Sequence, residues 1–102
     1  MVRGTTPTFQ LQITDETVDL TQATNVYATF KQESNTITKT GEDIEVTANQ
    51  VDVYFTQKET LSFKAGTMIY CQLNWTYEDG SRACSNIISI AVGKNLVGSE
   101  LL

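Results

Sequence analysis

The segment between residues 68 and 92 most constrains the fold of this chain, because it has the pattern of one long β-hairpin. Two runs rich in β-branched and aromatic residues, 68–77 and 82–92, flank the dipeptide at residues 79–80, Asp-Gly. This dipeptide between such runs is the strongest short-range hairpin signal, since both positions of a two-residue type I′ turn need positive φ. Each run has roughly ten residues, against about five or six in an average strand. The segment therefore predicts an antiparallel β domain.

Alternation of apolar and polar residues predicts further strands before this hairpin. They are expected at residues 8–14, 25–32, 36–39, 44–47 and 51–55. Residues 57–60 interrupt the alternation and predict a single helical or 3₁₀ turn. The expected fold is all-β, an immunoglobulin-like antiparallel β-sandwich of about seven strands, with a small closed barrel as the alternative. One domain is expected over residues 1–92, followed by a C-terminal tail over residues 93–102.

The hairpin also predicts the state of the two cysteines. With a two-residue turn at residues 79–80, Trp75 faces Cys84, and Cys71 faces Ile88. The two cysteines then lie roughly 13 Å apart along the strands, whereas a disulfide needs Cα atoms within about 7 Å. We therefore expect two reduced and largely buried thiols, as in a reducing compartment.

The same alternation divides the first arm of the hairpin into two faces. Trp75 is predicted to belong to the core rather than to an aromatic platform for a sugar ring. The apolar residues expected on this core face with it are Leu73, Cys71, Ile88 and Ile90. The opposite face is half polar, long and flat, and suits contact with another subunit. The N-terminal arm over residues 3–8 and the C-terminal tail are further expected docking segments. The candidate interface residues are Tyr70, Gln72, Asn74, Thr76, Arg3, Thr5 and Thr6.

The sequence lacks residues that several classes of functional site usually need. It has no histidine, the commonest general base and metal ligand, and no Gly-rich phosphate-binding loop. Carboxylates gather at turns, as at residues 42–45, where solvated turn residues are the simplest explanation. A formal charge of −5 from twelve acidic and seven basic residues disfavours nucleic-acid binding. We expect no catalytic residues, no metal and no cofactor.

The first residues and the hydrophobic runs bear on where the chain is made. Residues 1–8 lack the apolar core of a signal peptide, and no apolar run approaches the roughly 18 residues of a membrane helix. The chain is therefore expected to be made in a cytoplasm, without a signal peptide and without membrane insertion.

Four short motifs resemble those of short structural proteins, near a hundred residues, encoded in prophages of Firmicutes-type bacteria. They are Arg-Gly-Thr-Thr-Pro-Thr at residues 3–8, Tyr-Ala-Thr-Phe at 27–30, Phe-Thr-Gln-Lys-Glu-Thr-Leu-Ser-Phe at 55–63, and Asp-Gly at 79–80 with Ser-Asn-Ile at 85–87. The chain is also similar, more weakly, to the sandwich that opens some phage upper-baseplate proteins. The resemblance implies a setting, a virion or its assembly, and carries over no functional residues.

Two functions follow as expectations. The first is a non-enzymatic structural or adaptor protein of a phage tail, baseplate or head surface, with other phage structural proteins or further copies of itself as partners. It would be cytoplasmic on synthesis and then part of the virion. The second is an immunoglobulin-like binding module that recognises a cell-surface carbohydrate or protein.

Overall fold

Two antiparallel β-sheets pack face to face as a sandwich in the computed structural model, which describes residues 1–101. The described residues also form a short helix, α1, at Gln57–Leu61, and two 3₁₀ turns, at Leu20–Gln22 and Gly41–Asp43. The strands are β1 (Thr8–Gln12), β2 (Asn25–Gln32), β3 (Asn35–Lys39), β4 (Ile44–Val46), β5 (Gln50–Tyr54), β6 (Met68–Thr76), β7 (Arg82–Cys84) and β8 (Ile88–Ala91).

The smaller sheet has the order β1-β5-β4, and the larger sheet runs β3-β2-β6 with β7 and β8 both paired to the far edge of β6. β7 pairs with the C-terminal end of β6, and β8 pairs with its N-terminal end. The second arm of the predicted hairpin is thus divided into two short strands, which accounts for eight strands in the described residues where about seven were expected. The helical turn predicted at residues 57–60 is confirmed as α1.

The core lies between the sheets and is filled by side chains at alternate strand positions. Its centre is a cluster of three phenylalanines, in which the ring centroid of Phe30 lies 5.8 Å from that of Phe9 and 4.7 Å from that of Phe55. Trp75 is only 3% exposed and belongs to the same core, as the alternation predicted. Full burial of one such side chain contributes about 1.5–3 kcal/mol, so these residues hold the two sheets together.

The turn of the long hairpin differs from the prediction. The Tyr77 carbonyl accepts a hydrogen bond from the Gly80 N–H at 2.9 Å, and the Tyr77 N–H donates to the Ser81 carbonyl, also at 2.9 Å. Gly80 has a φ of +86°, whereas Asp79 is not in the positive-φ region. The connection is therefore a three-residue loop with a glycine bulge, and the predicted two-residue type I′ turn is wrong.

The longer loop shifts the register of β7 by one residue. Trp75 lies opposite Ala83, and Asn74 lies opposite Cys84, so the predicted pairing of Trp75 with Cys84 is wrong. A shift of one residue turns every side chain to the other face, and Cys84 is consequently exposed. The shift of one residue ends in the three residues between β7 and β8, because β8 has the predicted register, with Cys71 opposite Ile88.

A buried ion pair joins β3 to α1. The Lys39 Nζ lies 2.6 Å from a Glu59 carboxylate oxygen, and the Lys39 side chain is only 6% exposed. The same ammonium lies 5.0 Å from the centroid of the Phe55 ring. Glu59 also completes a capping box with Thr56 at the start of α1. One carboxylate thus caps the helix and neutralises the only lysine that is buried in the described residues.

The N-terminal residues pack against the chain that follows β8. Val2 forms a parallel bridge with Gly93, and the Asn95 side chain donates to the Arg3 carbonyl at 2.8 Å. Further along, the Leu101 N–H donates to Gln57 of α1 at 2.7 Å. The region predicted as a tail therefore contacts the sandwich at several points, while its last residue, Leu102, lies outside the described residues.

Candidate functional site

The candidate site is the outer face of the larger sheet, which points away from the sandwich core. Antiparallel pairing places Lys31 of β2 beside Tyr70 and Tyr27 of β2 beside Asn74. On the other side of β6, Ser89 lies opposite Tyr70. The four β6 residues that the sequence predicts for an interface all lie on this face: Tyr70, Gln72, Asn74 and Thr76.

One end of this face is apolar and strongly exposed. Tyr70 is 54% exposed, and Met68 is 40% exposed. Large aromatic and aliphatic side chains beside a polar surround are typical of the centre of a protein–protein interface. This end of the face is therefore the part best suited to bury apolar surface against a partner.

The other end of the face holds a fixed cation. Arg82 donates from Nε and Nη2 to the same oxygen of Asn74, at 3.1 and 2.8 Å. These two bonds leave three of the five guanidinium N–H groups for another partner. Arg82 also lines a shallow depression of about 360 Å³. The other residues that line it are Tyr27, Thr29, Thr38, Asn74 and Thr76.

The face carries basic charge without an acidic counterpart. Its strand positions include Lys31 and Arg82 but no aspartate or glutamate. Across residues 1–101 the ion pairs are Lys39 with Glu59 and Lys64 with Glu33, so Arg82 has no carboxylate partner there. In a chain with twelve acidic residues, a face free of carboxylates is a distinct electrostatic surface.

Sequence reasoning missed Arg82 because the assumed register turned it inward, opposite Tyr77. The observed register places it opposite Thr76 on the outer face. The sequence signal that would have found it is the turn itself, since Asp-Gly also suits a three-residue loop with glycine at the bulge.

The N-terminal residues predicted for the interface lie elsewhere. The Arg3 Nη2 donates to the Leu61 carbonyl at 2.9 Å, while its buried Nε has no hydrogen-bond partner among the described residues. The Thr5 carbonyl accepts a hydrogen bond from Thr60 at 2.8 Å, and Thr6 is exposed. The structure therefore groups these residues with α1 and the segment after β8, apart from the four residues on β6.

The aromatic residues of the hairpin do not form a flat platform for a sugar ring. Trp75 is 3% exposed, and its indole N–H donates to the Tyr77 hydroxyl at 2.9 Å. Tyr70 is exposed but stands on the opposite face of β6 from Trp75. Any stacking surface on this strand would consist of Tyr70 without the tryptophan.

A groove between the open edges of the two sheets accounts for an exposed residue that was expected in the core. Ile88 is 44% exposed, although it lies opposite the buried Cys71. It lines a groove of about 520 Å³ together with Ile13, Val18 and Ala83. The smaller sheet does not cover this edge of the larger one, so the predicted burial of Ile88 is wrong.

The two thiols differ in environment and give a prediction on reactivity. Both are free, as expected, but Cys71 is buried and Cys84 is exposed. Burial raises the pKa of Cys71 to about 12, and the reactive form of cysteine is the thiolate. At pH 8 in native buffer, we expect a thiol reagent such as DTNB to modify Cys84 within minutes and Cys71 only after unfolding.

The Cys84→Ser variant is the matched control, because the buried Cys71 is then its one remaining thiol. Its native form is expected to release no colour, and denaturation is expected to expose one equivalent. Two equivalents from the native wild-type protein would contradict the assignment of Cys71 to the core.

Two further observations concern other kinds of site. Nowhere in residues 1–101 do three or more acidic or cysteine side chains come together in a group that could hold a metal ion. Within that same range, no helix has both the length and the apolar character needed to cross a bilayer. No family model, curated protein or solved structure matches this chain.

Proposed function

We propose that this chain is a non-enzymatic structural or adaptor protein of a phage particle, in its tail, baseplate or head surface, and that its sandwich is of the immunoglobulin-like type. It is made in the cytoplasm and becomes part of the virion. The observation that carries the proposal is the outer face of the larger sheet. This face presents Tyr70 and Met68 to solvent and carries Arg82, which is hydrogen-bonded to Asn74.

Two further points support a role in contacts between proteins. A guanidinium and exposed aromatic residues are the groups most enriched at the energetic centres of interfaces. The resemblance of four motifs to prophage structural proteins, spread from residue 3 to residue 87, supplies the setting. The arrangement of a three-stranded sheet against a wider one supports the immunoglobulin-like type.

The alternative, a module that binds a cell-surface carbohydrate, has less support. Its strongest candidate side chain is Trp75, and the burial of that residue removes it from any ligand surface. A cell-surface protein as ligand would use the same outer face that the structural role uses.

Mass spectrometry of purified particles tests the proposal. Particles induced from the strain that encodes the chain are expected to contain it at a fixed copy number relative to the major capsid protein. Recovery of the chain only in the particle-free lysate would contradict the structural role.

The Tyr70→Ser variant tests whether the outer face makes the contact. We expect its melting temperature to change little, because Tyr70 is 54% exposed and surface substitutions usually stay within about 0.5 kcal/mol. Its copy number in particles is expected to fall at least tenfold, measured by mass spectrometry on particles complemented with the variant. The matched control is Ile88→Ser, which is 44% exposed but lies opposite the buried Cys71 and so on neither outer face. Equal loss with both variants would argue against a specific role for the outer face of the larger sheet.

A further inference from the structure

The outer face of the smaller sheet is the electrostatic opposite of the candidate interface. Asp52 of β5 and Glu45 of β4 lie directly opposite one another in the register of the two strands. The outer positions of this sheet carry no lysine or arginine. Like charges directly opposite on neighbouring strands are destabilising, so this acidic pair lowers the folding stability of the isolated domain.

The local contacts at the acidic pair are polar but contain no cation. The Gln50 side chain donates to Asp52 at 2.8 Å. The pKa of Tyr54 is raised, mainly by desolvation. A hydrogen bond to Glu45 and the negative charges of Glu45 and Asp52 raise it further. Among the described residues neither carboxylate has a basic group within ion-pair distance.

The two faces are complementary in charge. Arg82 is held by Asn74 with three N–H groups left over, and a guanidinium can bind carboxylates through parallel hydrogen bonds. The acidic pair offers two adjacent carboxylates that lack a cation. A guanidinium is also more weakly hydrated than an ammonium, which lowers the cost of burying it in a contact.

We propose that the partner of the larger sheet's outer face is a second copy of this chain, whose acidic pair, Glu45 and Asp52, binds Arg82. This inference names the partner that the proposed structural role requires, and its biological setting rests on that proposed function. The contact is heterologous, because it joins two different faces. Each copy therefore keeps one face of each kind available, and further copies can be added to form a ring or a filament.

The first test is sedimentation velocity of the purified full-length chain over a concentration series up to about 1 mM, at low and at high salt. We expect association that grows with concentration and weakens as salt is added, because exposed charges are screened. A chain that stays monomeric throughout this series overturns the proposal, and so does association that salt leaves unchanged.

Charge reversal then identifies the faces. The Arg82→Glu variant puts a carboxylate where the acidic pair of the next copy would bind, and the Glu45→Lys/Asp52→Lys variant makes both faces basic. Each is expected to lower the association constant at least tenfold on its own. A mixture of the two restores association, since the native acidic pair of the first meets the native Arg82 of the second. A mixture that stays monomeric, with both variants folded by thermal melting, overturns the proposal.

Two controls complete the design. Lys94→Glu changes the charge by the same amount as Arg82→Glu at an exposed position outside the strands, and is expected to leave association unchanged. Arg82→Gln removes the charge without adding a carboxylate, and is expected to weaken association even if the glutamate variant fails to fold. Equal effects of Lys94→Glu and Arg82→Glu would show that net charge, rather than the paired faces, drives association.

The outcomes separate this inference from the proposed function. If the chain is found in particles but Arg82→Glu is incorporated at the wild-type copy number and the purified chain is monomeric, the self-pairing fails while the structural role stands. If the purified chain associates through the paired faces but is absent from particles, the structural role fails while the self-pairing stands.

Discussion

The Trp75→Ala variant is expected to lose about 3–5 kcal/mol of folding free energy. Trp75 is 3% exposed within the core, and its indole N–H is bonded to Tyr77. The substitution leaves a cavity between the sheets and removes that hydrogen bond. Domains of this size are stable by about 5–15 kcal/mol, so the variant is expected to lose a large share of its stability and to unfold at a much lower urea concentration. Urea denaturation followed by circular dichroism measures the loss.

The matched control is Tyr70→Ala, because it truncates an aromatic side chain five residues earlier on the same strand but on the outer face. Its expected cost is within about 0.5 kcal/mol. If Trp75→Ala kept the wild-type midpoint, the tryptophan would not be a core residue, and the carbohydrate-binding alternative would gain. If Tyr70→Ala cost as much as Trp75→Ala, the two faces of β6 would not differ in burial as described.

The Glu59→Gln variant is expected to cost about 3 kcal/mol, because it leaves the Lys39 ammonium buried without a counter-charge. Glutamine keeps the shape of the side chain and can serve in the capping box, so the variant removes the charge and little else. Lys39 is 6% exposed and lies over the Phe55 ring, which leaves it little access to water. Equilibrium denaturation at pH 7 measures the loss.

Two controls separate burial from charge in this prediction. Glu33→Gln breaks the exposed pair with Lys64, whose side chains are 58% and 71% exposed, and is expected to cost less than about 1 kcal/mol. The double variant Lys39→Met/Glu59→Gln removes both charges and is expected to recover most of the stability. A cost for Glu33→Gln equal to that for Glu59→Gln would contradict the role of burial.

The pH dependence of this effect follows from the pKa of Glu59. Burial alone would raise it, but the hydrogen bond and the charge of Lys39, with the hydrogen bonds from Thr56, outweigh burial and lower the pKa below the ordinary 4.5. The ion pair therefore stabilises the fold above about that pH, and its contribution is lost as the pH falls through the lowered pKa. The difference in stability between wild type and Glu59→Gln is expected to be constant from pH 7 to about 5 and to shrink at lower pH.

The strands and the core were largely readable from the sequence, because alternation in β2, β5 and β6 is regular. Phe30, Val53 and Trp75 occupy inward positions in the pattern and in the structure. The four residues of β6 assigned to an outer face also lie there. The reason is that the period of two in a strand fixes which side chains share a face, whatever the strand's partners are.

The register of the hairpin could not be read from the pattern alone, because Asp-Gly suits two loop lengths. With a two-residue loop Cys84 is buried and Arg82 points inward, whereas with the observed three-residue loop both are on the outer face. The choice is made by tertiary packing, which places the small Ala83 opposite Trp75 and keeps a charged residue out of the core. The pairing of Lys39 with Glu59 was equally unreadable, since it joins positions twenty residues apart in sequence.

The pairing of β1 with β5 and of Val2 with Gly93 has a consequence for how the chain acquires its structure during synthesis. The hairpins β2–β3, β4–β5 and β6–β7 involve neighbours in sequence and can close early, since loop-closure entropy is small for short loops. β1 has no partner until β5 has emerged from the ribosome. The bridge between Val2 and Gly93 must wait until residue 93 has been translated, so these residues become ordered later than the hairpins that lie between them.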